Sequence, residues 1–342
     1  MRIFLYEFVT GGGWYWHTAG PPPETLLVEG RAMLRALAAD FTSVGGISVE
    51  VLRDARYRGC ELPGCTIHEV ASAAEEQQAI GRISAAADWT VMIAPEFCGH
   101  LYARCQAVES AGGTLLGPDS QLVALTSDKH ATAEHLGRHG VRVPRGVALA
   151  PFAPLPADFD YPAVLKPRDG AGSQGIEWIS TRPADRVRPT DRVNGALPAR
   201  LETFCAGTAA SVAVLCGPDQ IVPLQPCLQL LGGDHGFTYL GGSLPIPRRL
   251  ANRATQLATQ AVRSLPGRLG YLGVDLVLGA DPSGADDVVV EINPRLTTSY
   301  VGLRALLDGN LAASMLAIAG GQPVELCWQL GPIQFEASGD VR

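Results

Sequence analysis

The stretch at residues 288–295, Val-Val-Val-Glu-Ile-Asn-Pro-Arg, constrains this chain most. Three consecutive valines call for a buried strand. On that strand Glu291 and Asn293 lie two residues apart and share a face, with Arg295 next on the same side. A second apolar run lies at residues 273–278, and residues 280–287 between the two are rich in turn formers. The pattern predicts a β-hairpin. With its turn near Ser283, Asp275 falls opposite Glu291, about 5 Å away. Two carboxylates and an amide oxygen then converge, a donor set suited to Mg²⁺ or Mn²⁺. A solvated strand face is the competing account. Asp275 argues against it, because it interrupts an otherwise apolar strand and a buried carboxylate without a partner is costly.

The spacing Gly170-x-Gly172-x-x-Gly175 matches the dinucleotide-binding pattern on its face. The context does not fit, since residues 176–179 alternate like a strand and a dinucleotide loop opens a helix. Lys166 ends the strand before the loop. A glycine loop between antiparallel strands closes over phosphates through its backbone N–H groups, and Lys166 and Lys129 would add positive charge. Taken alone, an ordinary hairpin with a loose tip fits as well. With the carboxylate cluster downstream, the loop reads as part of a nucleoside-triphosphate site.

Around these motifs the chain divides into four parts. Residues 1–120 alternate strands (3–9, 47–52, 90–94 and a short one at 114–116) with helices (24–39, 75–87, 98–111), which implies a parallel sheet with helices on its faces. The Gly11–Gly13 loop follows the first strand, where open α/β sheets place ligands. Its aromatics Trp14, Tyr15 and Trp16 either line a substrate pocket or pin the loop down. Residues 121–205 carry a helix at 122–140 and strands at 162–166, 176–180 and 200–204. Residues 206–325 carry strands at 209–215 and 221–230, a glycine-rich loop at 232–245, a helix at 249–265, the hairpin, and a helix at 302–319. Residues 326–342 form a tail with too little pattern to assign. The expected class is α/β followed by α+β.

Composition narrows the function. Hydrophobic residues make up 46% and charged residues 18% of 342, enough for a sizeable folded core. A net charge of -7 argues against non-specific nucleic-acid binding. No apolar run reaches membrane-span length, and Glu7 comes too early for a signal peptide. None of the 8 cysteines forms a Cys-x-x-Cys pair, so buried thiols in a reducing cytoplasm are expected. His135 and His139 are helix neighbours with no third ligand in view, which points to a solvated helix face. The expected partners are small molecules, with no nucleic acid and no membrane; a homodimer is left open.

Residues 127–129 (Ser-Asp-Lys), 166–175, 202–207, 273–275 and 291–295, in that order, resemble the ATP-grasp ligases. The resemblance covers about residues 120–320. It implies a Rossmann-like pre-ATP-grasp domain followed by two subdomains that grip ATP. It also implies roles. Lys129 and Lys166 contact the phosphates and adenine, and the loop with Gly170, Gly172, Ser173 and Gly175 covers the phosphates. Glu202 and the backbone near Cys205 meet the adenine edge. Asp275, Glu291 and Asn293 hold Mg²⁺, while Arg295 faces the transferred phosphate and acts with Lys166 in catalysis. One departure stands out: many members carry a ribose-binding acid after the glycine at 207, and here Thr208-Ala-Ala-Ser211 follows.

A narrower set, at residues 5–8, 27–33, 210–212 and 293–300, resembles the tyramine–glutamate ligase group, which makes the side chain of methanofuran, a one-carbon carrier. It implies an ADP-forming carboxylate–amine ligase using L-glutamate with tyramine or tyrosine. Another amino-acid or peptide pair, and a nucleotide-binding regulator without turnover, are the alternatives. His235 and Tyr239 on the glycine-rich loop are candidates to reach the substrates, and Trp14 to wall the phenol ring.

Overall fold

The computed structural model describes residues 1–17, 20–156, 158–170, 175–181, 197–233 and 237–342. The chain begins β1 (Arg2–Glu7), α1 (Glu24–Ser43), β2 (Ser48–Asp54), β3 (Cys65–Val70), α2 (Ala73–Ser84), β4 (Trp89–Ile93) and α3 (His100–Ser110). Alternation along β1 sends Ile3 and Leu5 to one face and Phe4 and Tyr6 to the other, all fully buried. A strand buried on both faces needs a cover on each. Helix α1 packs on the Ile3–Leu5 face, α2 and α3 on the Phe4–Tyr6 face. The sheet is parallel in the order β3-β2-β1-β4. Strand β3 has no counterpart in the sequence expectation. It is a sheet edge whose residues are mostly half-buried or exposed, so it lacks an apolar run. The short strand expected at 114–116 is a single bridge between Thr90 and Leu115.

Next come α4 (Ser120–Ser127), α5 (Lys129–Arg138), β5 (Gly146–Leu149), β6 (Ala163–Pro167), β7 (Glu177–Ile179) and β8 (Ala199–Thr203). The four strands form an antiparallel sheet, β5-β8-β6-β7. The single helix expected at 122–140 is two. Asp128 adopts extended backbone and its carboxylate caps α5, accepting from the N–H groups of His130 (2.9 Å) and Ala131 (3.1 Å).

The rest runs β9 (Thr208–Cys216), β10 (Ile221–Pro223), β11 (Cys227–Gly232), β12 (Thr238–Leu244), α6 (Arg248–Arg263), β13 (Gly270–Leu278), β14 (Val288–Asn293), α7 (Ser299–Leu306), α8 (Leu311–Ala319) and β15 (Ile333–Glu336). Its sheet follows β14-β13-β9-β11-β12-β15, with β10 also on β9. Three expectations are corrected here. Half of the expected loop at 232–245 is strand β12, paired with β11. Its glycines serve packing: a Cβ on Gly242 would lie 2.5 Å from the Phe335 ring. The strand expected at 221–230 is split into β10 and β11, and the helix at 302–319 into α7 and α8. The first helix ends at Leu306, where Leu307 turns extended, and Asn310 caps α8 by accepting from the Ala313 N–H at 2.8 Å. The tail, unassigned from sequence, contributes β15 beside β12.

Alternation also sorts the large sheet. Val212, Val214, Val274 and Ile292 pack under α6, while the opposite face meets α7, α8 and, through them, α1. Asp40 of α1 locks this junction. It accepts from the Tyr300 hydroxyl (2.6 Å) and from Nε of Arg304 (3.0 Å). Replacing Asp40 with Ala orphans a fully buried phenol and leaves a part-exposed guanidinium unpaired. It should cost about 2 kcal/mol, allowing for screening at Arg304, in a denaturant melt. Among the described residues no helix is long and apolar enough to cross a membrane. All 8 cysteines are free; Cys60, Cys105, Cys216 and Cys227 are buried, but Cys98 and Cys327 are exposed, contrary to the uniform burial expected.

Candidate active site

A cavity of about 250 Å³ opens where the carboxyl ends of β1 and β4 face the large sheet. In the parallel sheet the chain runs from β1 out to β2 and β3 on one side and then crosses back to β4 on the other, so the strand order reverses beside β1. That reversal is where open α/β sheets bind ligands. Glu7 ends β1 and Ile93, Ala94 and Pro95 close β4 at this mouth. The opposite wall is the open face of β9, β13 and β14, and the β11–β12 hairpin covers one side.

Asp275 on β13 pairs with Glu291 on β14 and with Ser211 on β9, so the three form one row across the sheet. Asn293 follows Glu291 by two residues and donates its amide N–H to Asp275 at 3.0 Å. Gln229, on β11, donates to the other Asp275 oxygen at 2.9 Å. Gly273 sits opposite Asn293, where a Cβ would lie 2.6 Å from Thr297; its lack of one gives Asn293 room. Burial, and after it the charge of Glu291, push the Asp275 carboxyl up to about 7. Paired carboxylates under mutual strain, with an amide beside them, are a donor set that fits a hard divalent cation. Among the described residues no group of three or more His, Cys, Asp or Glu side chains is placed to hold a metal, so a cation bound here would need the Asn293 amide oxygen as third donor.

The raised Asp275 carboxyl has a consequence for stability. The folded state favours its protonated form, so this group stabilises the metal-free protein fully below about pH 4 and loses that effect as pH rises through about 7. Asp275→Asn abolishes the titration. Its Tm relative to wild type should therefore rise between about pH 5 and about pH 8 in metal-free buffer. Parallel melting curves for the two proteins would contradict this.

The two lysines sit at the junction of the sheets. Lys129, buried at the start of α5, forms an ion pair with Glu291 and donates to the Gly170 carbonyl at 2.7 Å. Lys166 on β6 is buried against Glu202 of β8, 2.6 Å away, and reaches the Val290 carbonyl at 3.4 Å. Glu202 also accepts from Arg200 at 2.8 Å. Cys205 is half-buried just past β8, its thiol 3.7 Å from the Thr203 carbonyl. Gly170 and Gly175 flank the loop, and Asp169 at its base accepts from the Cys98 N–H at 3.1 Å, tying it to the N-terminal layer. Gly172 and Ser173, like His235, lie outside the described residues.

Arg295 lines the cavity and is held by Glu96, with Nε–Oε1 2.9 Å and Nη2–Oε2 3.1 Å. Tyr239 also lines it, on strand β12 rather than on a loop, and burial raises its phenol. Trp14 is placed elsewhere. It stacks on His17 at 4.0 Å and meets Phe8 edge-on at 6.2 Å, and its N–H bonds the Gly20 carbonyl at 3.0 Å. Tyr15 bonds Asp54 at 2.9 Å and Trp16 bonds Glu76 at 3.0 Å. The three aromatics therefore pin the loop down, and among the described residues the aromatic rings lining the cavity are Phe237 and Tyr239. Glu96, Gln229 and Phe237 were not singled out in the sequence, and Ser211 stood there only within the family motifs. Only Ser211 and Gln229 carried a local signal, as polar positions on the cavity face of otherwise apolar strands.

A parallel-sheet domain followed by two antiparallel sheets, with lysines from one and carboxylates from the other at their junction, defines a two-lobed nucleotide-dependent ligase. An ATP-grasp domain model matches residues 126–299, just over half of the chain, and a pre ATP-grasp 3 domain model matches residues 47–123. The chain belongs to the ATP-grasp family, and it is an ATP-dependent carboxylate–amine ligase. It is similar to tyramine–L-glutamate ligase of Methanocaldococcus fervens, 24% identical over 306 residues that cover 88% of this chain and 89% of that one. The tyramine–L-glutamate ligase of Methanocaldococcus jannaschii is 23% identical over 304 residues, covering 88% and 84%. Among solved structures, an ATP-grasp superfamily protein from Archaeoglobus fulgidus has a TM-score of 0.72 at 23% identity, covering 98% of this chain and 92% of that chain.

Proposed function

We propose that the chain joins L-glutamate to an aromatic amine of the tyramine type through an acylphosphate, in the making of a methanofuran-type one-carbon carrier. The observation that carries this reading is the cluster of Asp275, Glu291 and Asn293, which faces a cavity shared with the carboxyl ends of the N-terminal sheet. The domains are 1–120, 121–205 and 206–325, with a tail at 326–342. ATP lies between the two antiparallel sheets, with its phosphates toward Lys129, Lys166 and the 170–175 loop and its adenine edge at Glu202 and the backbone near Cys205. Asp275, Glu291 and Asn293 would hold Mg²⁺, which supplies charge neutralisation to the transferring phosphoryl group.

The glutamate carboxylate attacks the γ-phosphorus, ADP leaves, and the amine then displaces phosphate from the acyl carbon. Lys129 must leave Glu291 to meet a phosphate, a shift that ATP itself would drive by offering a stronger anion. Arg295 is positioned to meet the acid substrate or the phosphoryl group from the N-terminal side. The aromatic wall for the amine is Phe237 and Tyr239. The two curated relatives support the substrate pair by their names and by the length of the match. ADP release from ATP, Mg²⁺ and glutamate, scanned over amines, tests it. Tyramine should turn over at least about tenfold faster than an aliphatic amine of equal length, as a filled apolar pocket discriminates. Equal rates would remove the aromatic-amine assignment.

A further inference from the structure

Five charged side chains among the described residues face the cavity: Glu7, Glu29, Asp275, Glu291 and Arg295. Four are already engaged. Glu7 accepts from the N–H groups of Val9 (3.0 Å) and Thr10 (2.8 Å) and from the Thr10 hydroxyl (2.6 Å). Asp275 is held by Gln229 and Asn293, Glu291 by Lys129, and Arg295 by both oxygens of Glu96. Glu29, on α1, makes no hydrogen bond or ion pair among the described residues. It is half-buried, and the glycine after it explains how it comes to stand there. A side chain on Gly30 would collide with Glu7, so the helix lies flush on the carboxyl end of β1. Burial raises the Glu29 carboxyl, opposed by the charge of Arg295. The cavity thus holds four carboxylates against one guanidinium, and the one carboxylate without a partner is on the N-terminal wall, away from the Asp275–Glu291 row.

We infer that Glu29 recognises the amine substrate: its carboxylate takes the ammonium group and accepts the proton that the amine must lose before it attacks. This inference rests on the ligase reading above. An amine enters at neutral pH as R–NH₃⁺, which has no lone pair to donate. One N–H bond breaks, its electrons stay on nitrogen and the proton passes to Glu29. The nitrogen lone pair forms the C–N bond to the acyl carbon, the bond from that carbon to the phosphate oxygen breaks, and phosphate leaves with the electron pair and the second N–H proton. Glu29 then returns its proton to water at the cavity mouth. The apolar part of the amine lies among Leu26 and Met33 of α1 and Phe237 and Tyr239. An α-carboxylate on the amine would meet Glu29 with like charge, while Arg295, braced by Glu96, is given over to the acid substrate and the phosphoryl group. The pocket therefore selects a simple aromatic amine over the corresponding amino acid.

The test compares wild type with Glu29→Gln, using ATP, Mg²⁺ and L-glutamate with either tyramine or hydroxylamine as nucleophile. Hydroxylamine is uncharged at neutral pH and traps an acylphosphate as the hydroxamate. The variant should raise the KM for tyramine about 30-fold, the loss of one charge-assisted contact, and narrow the preference for tyramine over tyrosine. Its loss in hydroxamate formation should be at least about ten times smaller. Equal losses with both nucleophiles would show a structural role only and overturn the inference, as would unchanged KM values. Wild type that forms neither hydroxamate nor amide would overturn the ligase reading itself, a different outcome from either of these.

Discussion

Glu291→Gln is expected to lower kcat by about 10³-fold while leaving Tm nearly in place, the scale seen when a charge that positions a metal or stabilises a transferring group is neutralised. The substitution keeps the shape of the side chain, so the strand register Asp275↔Glu291 and the packing of β14 survive. It removes one of the two carboxylates available to a divalent cation and leaves Lys129 facing a neutral amide. Two stability effects oppose each other. The ion pair with Lys129 is lost, but the repulsion that helps push Asp275 up to about 7 is lost as well. Steady-state kinetics beside a thermal melt check this. Wild-type turnover at unchanged Tm would contradict the metal-site assignment.

Phe335→Ala should destabilise the fold by about 4 kcal/mol, within the usual range for emptying a buried phenylalanine site. The ring comes from the tail strand β15 and is fully buried. It stands across from Gly242 of β12 in register and fills the space left by the missing side chains of Gly242 and Gly302, where a Cβ would collide with it. Two glycines and one ring therefore form a single packing unit joining β12, α7 and β15. The truncation cannot be repacked by neighbours that have no side chains. A fall in Tm of roughly 10 °C is expected, and a fall under about 2 °C would show that β15 is not part of the core.

The parts of this structure legible in the sequence are those with local period. The hairpin at 273–293 was readable to the residue pair, because valine runs and a turn-rich segment fix a register. The parallel layer was readable from alternating strand and helix patterns. Strand β12 was not, since Gly241 and Gly242 look like loop residues until Phe335, nearly a hundred positions away, is seen to need their space. The helix starts at Asp128 and Asn310 depend on single capping residues inside otherwise helical stretches. Pairings such as Arg295 with Glu96 and Lys129 with Glu291 join residues far apart in the chain, and no periodicity carries them. For Trp14 the sequence left two roles open, a ring wall and a pin for its loop. Its indole packs against Phe8 and His17, contacts that join residues no local period brings together.

The proposed reaction passes through an acylphosphate formed between the carboxylic acid and ATP. Glutamate labelled with ¹⁸O in its side-chain and α-carboxylates tests it most directly, with the fate of the label read by mass spectrometry after turnover with ATP and tyramine. The account predicts ADP as the nucleotide product and one labelled oxygen in each inorganic phosphate, carried there when the amine displaces the phosphate. Label in AMP, with pyrophosphate released, would contradict it.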